Sequence, residues 1–258
     1  MHRIDYSALD RPEILAFVFY PRNDFTGTPP GAHDYRISVD EDVSISCRLH
    51  VFEADSPSVL YFHGNGEVVS DYDDIAPMYA GTGLNLFVAD YRGYGASQGR
   101  PTLSNTIADA GVVFEAFAGI LQREGYCTDI FVMGRSLGSL SAVEVAYRHQ
   151  DRVKGLIIES GFAAFSSLLS HLGIPPGVVG VDDPEAPNLA GVRAIEVPTL
   201  VIHGEHDQLI PVSEGEALFR GSAAADKKLL IITGADHNDI MWTGREEYFR
   251  AIREFTSA

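Results

Sequence analysis

Six short apolar runs constrain this chain more than any other feature: Val59 to Phe62, Leu84 to Ala89, Ile130 to Met133, Val153 to Ile158, Leu200 to Ile202 and Leu229 to Ile232. A strand with one wet face alternates polar and apolar residues, whereas a run that is apolar throughout fits a strand covered on both sides. Between the runs lie stretches with helical spacing, at Leu103 to Glu124, Leu137 to Arg148, Ser213 to Phe219 and Arg245 to Phe255. Doubly buried strands alternating with helices predict a mostly parallel sheet with helices on both faces. Upstream, Arg36 to Val39 and Val43 to Phe52 alternate around Asp40-Glu-Asp42, which predicts an antiparallel hairpin with one solvated face. Asp10-Arg-Pro-Glu13 reads as a helix start, with Asp10 as the cap, Glu13 completing a capping box and Ile14 to Tyr20 forming the buried side.

No period of repeats and no polar linker divides the 258 residues, so a single domain over 1–258 is expected. A formal charge of −17 sets up a field that repels phosphate polymers, which argues against nucleic acid as a partner. The longest apolar run, Ile14 to Tyr20, has 7 residues, against the roughly 20 a spanning helix needs. The first residues carry Asp5, Asp10 and Glu13 rather than the basic and apolar pattern of a secretory signal, so a cytoplasmic location is expected. Two cysteines, Cys47 and Cys127, are too few for a disulfide framework and read as packing residues.

Parallel sheets carry their chemistry in the loops beyond the carboxyl ends of their strands. Five such loops here hold reactive or turn-forming residues: His63-Gly-Asn-Gly66, Asp90-Tyr-Arg-Gly93, Gly134-Arg-Ser-Leu-Gly138, His203-Gly-Glu-His-Asp207 and Gly234-Ala-Asp-His237. The third has the form G-x-S-x-G between a strand and a helix, the context in which a serine on a strained turn projects above the sheet. Ser136 is therefore the candidate nucleophile. A serine hydroxyl needs a base, and His237, in the loop after the last apolar run, stands at the same edge. The base needs a carboxylate to fix its tautomer, and Asp207 is the choice over Glu205 and over Asp236, which adjoins the base. Backbone amides of Leu137 and Asn65 are the candidate donors to a developing oxyanion, the second because glycines flank it. His63 and His203 read as structural residues that hold their loops.

These motifs, in the order nucleophile, acid, histidine, resemble the α/β-hydrolase family over roughly residues 30–256. The combination of Phe62-His-Gly-Asn-Gly66, Asp90-Tyr-Arg-Gly-Tyr-Gly95 and Gly-Arg-Ser-Leu-Gly looks like its Bem46 branch, similar to ABHD13- and ABHD17-type serine hydrolases. The resemblance implies an eight-stranded sheet with an antiparallel second strand, and ester or thioester hydrolysis of a small-molecule acyl substrate without a cofactor or metal. Residues 161–196, with Phe162, Phe165 and Leu168, are expected to form a small cap over an acyl pocket suited to short or medium chains. A prolyl-type peptidase, or a binding protein that has kept this scaffold without turnover, is the alternative. His203-x-x-His206-Asp207 contains metal-binding residue types but lacks the helical spacing that brings two ligands to one face. Gly64-x-Gly66 is not continued as a dinucleotide fingerprint, because Val69 occupies the last position.

Overall fold

The computed structural model describes residues 6–166, 169 and 187–257. Eight strands form one sheet: β1 Ala32–Asp40, β2 Val43–His50, β3 Ser58–Phe62, β4 Asn85–Ala89, β5 Ile130–Arg135, β6 Val153–Glu159, β7 Thr199–Gly204 and β8 Lys227–Ile232. Their order is β1-β2-β4-β3-β5-β6-β7-β8. β2 runs antiparallel to both of its neighbours, and every other pairing is parallel. The helices among the described residues are α1 Pro12–Val18, α2 Ala76–Ala80, α3 Leu103–Glu124, α4 Ser139–Arg148, α5 Pro187–Val192, α6 Val212–Gly221, α7 Ile240–Thr243 and α8 Arg245–Thr256.

The sheet divides the interior in two, and the apolar runs are continuous because both halves need them. Leu60 and Phe62 of β3 join a core built with α1, α3 and α4. Val59 and Tyr61, the alternate residues, face a second core built with α2, α7 and α8. Phe114 and Phe117, three apart on α3, are fully buried; a side chain of that size contributes about 1.5–3 kcal/mol when removed from water. The small cap expected over 161–196 falls largely on residues 167, 168 and 170–186, which lie outside the described residues. Phe162, Phe165 and Leu169 of that stretch are buried in the first core.

Three expectations at the amino end need correction. Asp10 does not cap α1, whose N-cap position is held by Arg11 without a side-chain hydrogen bond. Its Oδ1 instead accepts from the amides of Leu103 and Ser104 at 2.8 and 3.3 Å, so it caps α3 together with Thr102. The run Ile14 to Tyr20 is not one buried side: Ile14, Val18 and Phe19 are buried, but Phe17, on the outer face of α1, and Tyr20, beyond its end, are about half exposed. The hairpin's wet face holds on the edge strand β1 only. β2 lies between β1 and β4 and is buried from Ile45 to Leu49, including Arg48, whose guanidinium is neutralised by Asp34 and Asp73.

Candidate active site

β5 delivers Ser136 at its carboxyl end, where the backbone must reverse into α4. Ser136 pays for that turn with a φ of +52°, in the left-handed region that side chains avoid. The neighbouring glycines are required sterically. A Cβ on Gly134 would strike the carbonyl of Gly138, and a Cβ on Gly138 would strike the carbonyl of Phe62 at the end of β3. The serine turn and the turn after β3 are thus packed backbone against backbone, which sets Leu137 and Asn65 at one sheet edge.

Two further loops complete the edge. After β7, the Oδ1 of Asp207 accepts from its own loop, from Ile210 N at 2.7 Å and Leu209 N at 3.0 Å. Its other oxygen is left for the imidazole: Asp207 Oδ2 lies 2.7 Å from His237 Nδ1. After β8, the loop carrying His237 is strapped to the Asp207 loop by the amide of His206 on the Ala235 carbonyl, 2.8 Å, and by Glu205 Oε2, which accepts from Gly234 N at 2.9 Å. His237 Nε2 then stands 3.1 Å from Ser136 Oγ. All three side chains are buried. With Nδ1–H donating to the carboxylate, Nε2 keeps the lone pair that faces the serine.

The rival carboxylates are occupied elsewhere. Glu205 holds the histidine loop, and Asp236 accepts from the amide of His237 itself at 2.7 Å. His203 is buried, and its Nε2 lies 2.8 Å from the Ile210 carbonyl and 3.5 Å from Asp207 Oδ2. His206 by contrast is exposed, so the pair does not converge. Among the described residues no group of three or more His, Cys, Asp or Glu side chains is arranged to hold a metal ion. Burial would push the Asp207 carboxyl up, but hydrogen bonds from His203, His237 and the Ile210 amide outweigh it and hold the group well below the usual carboxylate range.

The turn after β3 is held from several sides. His63 Nε2 lies 3.2 Å from Asp90 Oδ1, and the Tyr91 hydroxyl donates to the His63 carbonyl at 2.6 Å. The Asn65 side chain is committed to the amino-terminal segment, donating to the Val18 carbonyl and accepting from Tyr20 N and the Tyr94 hydroxyl.

Sequence reasoning passed over Arg135, although it sits inside the serine motif. Its guanidinium is buried and reaches Glu67 Oε1 at 2.5 Å, the carbonyl of His237 at 2.8 Å and Asn238 Oδ1 at 3.0 Å. Glu159 Oε1 lies 3.2 Å from its Nε, an ion contact in which the N–H is not aligned for a hydrogen bond. Burial opposes the charge, but Glu67 and Glu159 raise the Arg135 pKa further above its ordinary value. The two carboxylates divide: burial pushes Glu159 up despite Arg135, whereas for Glu67 the arginine and its hydrogen bonds overcome burial and lower it. A signal was present in Glu159, a charge directly after the buried apolar stretch Leu156 to Ile158, which requires a buried partner.

The chain matches the family Hydrolase_4, described as serine aminopeptidase, S33, over residues 54–176 and 188–241. It is 29% identical over 213 residues to human alpha/beta hydrolase domain-containing protein 17B, covering 78% of this chain and 66% of that protein, slightly under two thirds of its length. The protein bem46 of Schizosaccharomyces pombe is also 29% identical, over 206 residues, covering 77% of this chain and 67% of its own. Among solved structures, the esterase Pf2001 of Pyrococcus furiosus superposes with a TM-score of 0.75 at 19% identity, covering 92% of this chain and 98% of that one. At that identity the likeness is one of fold.

Proposed function

The chain belongs to the Hydrolase_4 family of α/β hydrolases, and from that membership we propose that it is a serine hydrolase that cleaves carboxylic ester or thioester bonds through an acyl-enzyme. One observation carries the reading: Ser136 Oγ, His237 Nε2 and His237 Nδ1 with Asp207 Oδ2 form a continuous line of contacts at 3.1 and 2.7 Å. Ser136 Oγ attacks the substrate carbonyl while its proton passes to His237 Nε2. The tetrahedral oxyanion is held by the amides of Leu137 and Asn65. Collapse expels the alcohol or thiol, which takes the proton from His237 and leaves the acyl group on Ser136. Water then attacks in the same way, and the free acid departs. Asp207 stays ionised throughout and stabilises the imidazolium.

Replacement of Ser136 by Ala is expected to abolish hydrolysis of p-nitrophenyl esters and labelling by a fluorophosphonate probe. Retention of most of the activity, or a probe adduct on another residue, would remove the reading. The description of the family as an aminopeptidase supports a second reading in which the scissile bond is an amide. A panel of matched ester, thioester and amide substrates separates the two, and a p-nitrophenyl series from acetate to palmitate tests the preference for short or medium chains. No described helix is long and apolar enough to cross a membrane.

A further inference from the structure

The histidine loop, from the end of β8 at Ile232 to the start of α7 at Ile240, is anchored unevenly. Before the ring, Gly234 N is held by Glu205, His206 N donates to the Ala235 carbonyl, and Asp236 Oδ1 takes the amide of His237. The carbonyl of His237 and the side chain of Asn238 are instead held by the two contacts of Arg135 Nη2, 2.8 and 3.0 Å long. The same guanidinium binds Glu67, whose Oε2 accepts from Gly64 N at 2.7 Å in the turn after β3, and it faces Glu159 at the end of β6. Glu159 is fixed in turn by the Tyr248 hydroxyl at 2.6 Å. One planar group thus references two loops and the end of β6 to the residue immediately before Ser136.

We propose that Arg135 is a positioning residue for His237: its guanidinium, clamped between Glu67 and Glu159, grips the carbonyl of residue 237 and so sets the imidazole at hydrogen-bond distance from Ser136 Oγ. The inference rests on the catalytic reading above and extends it by a residue that touches no substrate. Arginine is needed rather than lysine because the planar fork presents separate N–H groups to a carboxylate, a carbonyl and an amide oxygen at once, whereas an ammonium is a single point. Gly64 is part of the same device, since a Cβ there would collide with Arg135 Nη1.

The experiment is a cycle of full-length chains: wild type, Arg135→Lys, His237→Ala and the double variant, each checked for folding by circular dichroism. Steady-state hydrolysis of p-nitrophenyl butyrate is followed, together with slow acylation of Ser136 by a fluorophosphonate, read by intact mass. Arg135→Lys is expected to lower kcat about 10- to 100-fold, the effect of displacing a catalytic group by a fraction of an ångström to one ångström, with KM nearly unchanged. In the His237→Ala background the same change is expected to alter acylation by less than about twofold, because its target is gone. Asn238→Ala, at an exposed position, runs in parallel as a variant milder for folding, with a several-fold fall in kcat that also vanishes without the imidazole. A folded Arg135→Lys with undiminished kcat overturns the proposal, and so does an equal loss in both backgrounds, which would place the effect on the serine turn. If Arg135→Lys does not fold, an Asn238→Ala kcat equal to wild type overturns it. A His237→Ala variant that acylates as fast as wild type would instead sink the catalytic reading itself.

Discussion

The sharpest perturbation available is Asp207→Asn, because the surroundings dictate which way the new amide must face. Two backbone donors, Leu209 N and Ile210 N, point at Oδ1 from 3.0 and 2.7 Å. The asparagine must keep its oxygen there, since the alternative sets an NH2 against two N–H groups. Its NH2 then occupies the place of Oδ2 and faces His237 Nδ1, now 2.7 Å from an acceptor. A donor at that position forces the imidazole into the other tautomer, with the proton on Nε2 and no lone pair toward Ser136. The expected loss in kcat is about 10⁴-fold, as for the equivalent change in a serine protease, or about 5.4 kcal/mol of transition-state stabilisation. The assay is kcat for p-nitrophenyl butyrate between pH 6 and 10 on protein shown to be folded.

Stability should respond in a separate way. The folded carboxyl of Asp207 lies below its unfolded value of about 3.9. Its contribution is therefore complete above that value and is lost only as pH falls toward the lower folded pKa. The variant should lack this acid-side dependence, which denaturant melts from pH 5 downward will read. A loss in kcat of less than tenfold, with the fold intact, would refute the tautomer argument.

Gly138→Ala should destabilise the protein by about 1–3 kcal/mol or more in chemical denaturation, because the added carbon collides with the Phe62 carbonyl, which belongs to a central strand and cannot yield. Tyr248→Phe takes the 2.6 Å donor from the buried Glu159, leaving Tyr61 at 3.4 Å, and should cost about 1–3 kcal/mol by the same measurement. Asp10→Ala should cost about 0.5–2 kcal/mol, with increased hydrogen exchange at Leu103 and Ser104 rather than in α1.

What could be read before folding was whatever burial writes into consecutive residues. Val59 to Phe62 is apolar at every position because β3 faces two cores, so its place is visible locally; α3 is visible in the helical spacing of Leu103 to Glu124. Ser136, Asp207 and His237 were legible as candidates through the strand-end rule, since each closes a loop at one edge. Arg135 was not, because its partners Glu67 and His237 are 68 and 102 residues away and no local pattern announces them. Asp10 misled for the same reason. A capping residue satisfies whichever amides fold against it, and here those belong to a helix 93 residues downstream.

The bonds from Asn65 to Val18 and Tyr20 have a practical consequence for anyone shortening this chain. Trimming to the first residue of β1 would leave every strand in the sequence, but it would strip Ile14, Val18 and Phe19 from the first core and Asp10 from the cap of α3, so the product would be less stable. The asparagine would also lose the two peptide groups that pin its side chain, and Gly66 would lose the Arg22 guanidinium that holds its carbonyl at 3.0 Å. A weakened fragment with sluggish chemistry would be the result, and the second defect would be easy to mistake for the wrong choice of substrate.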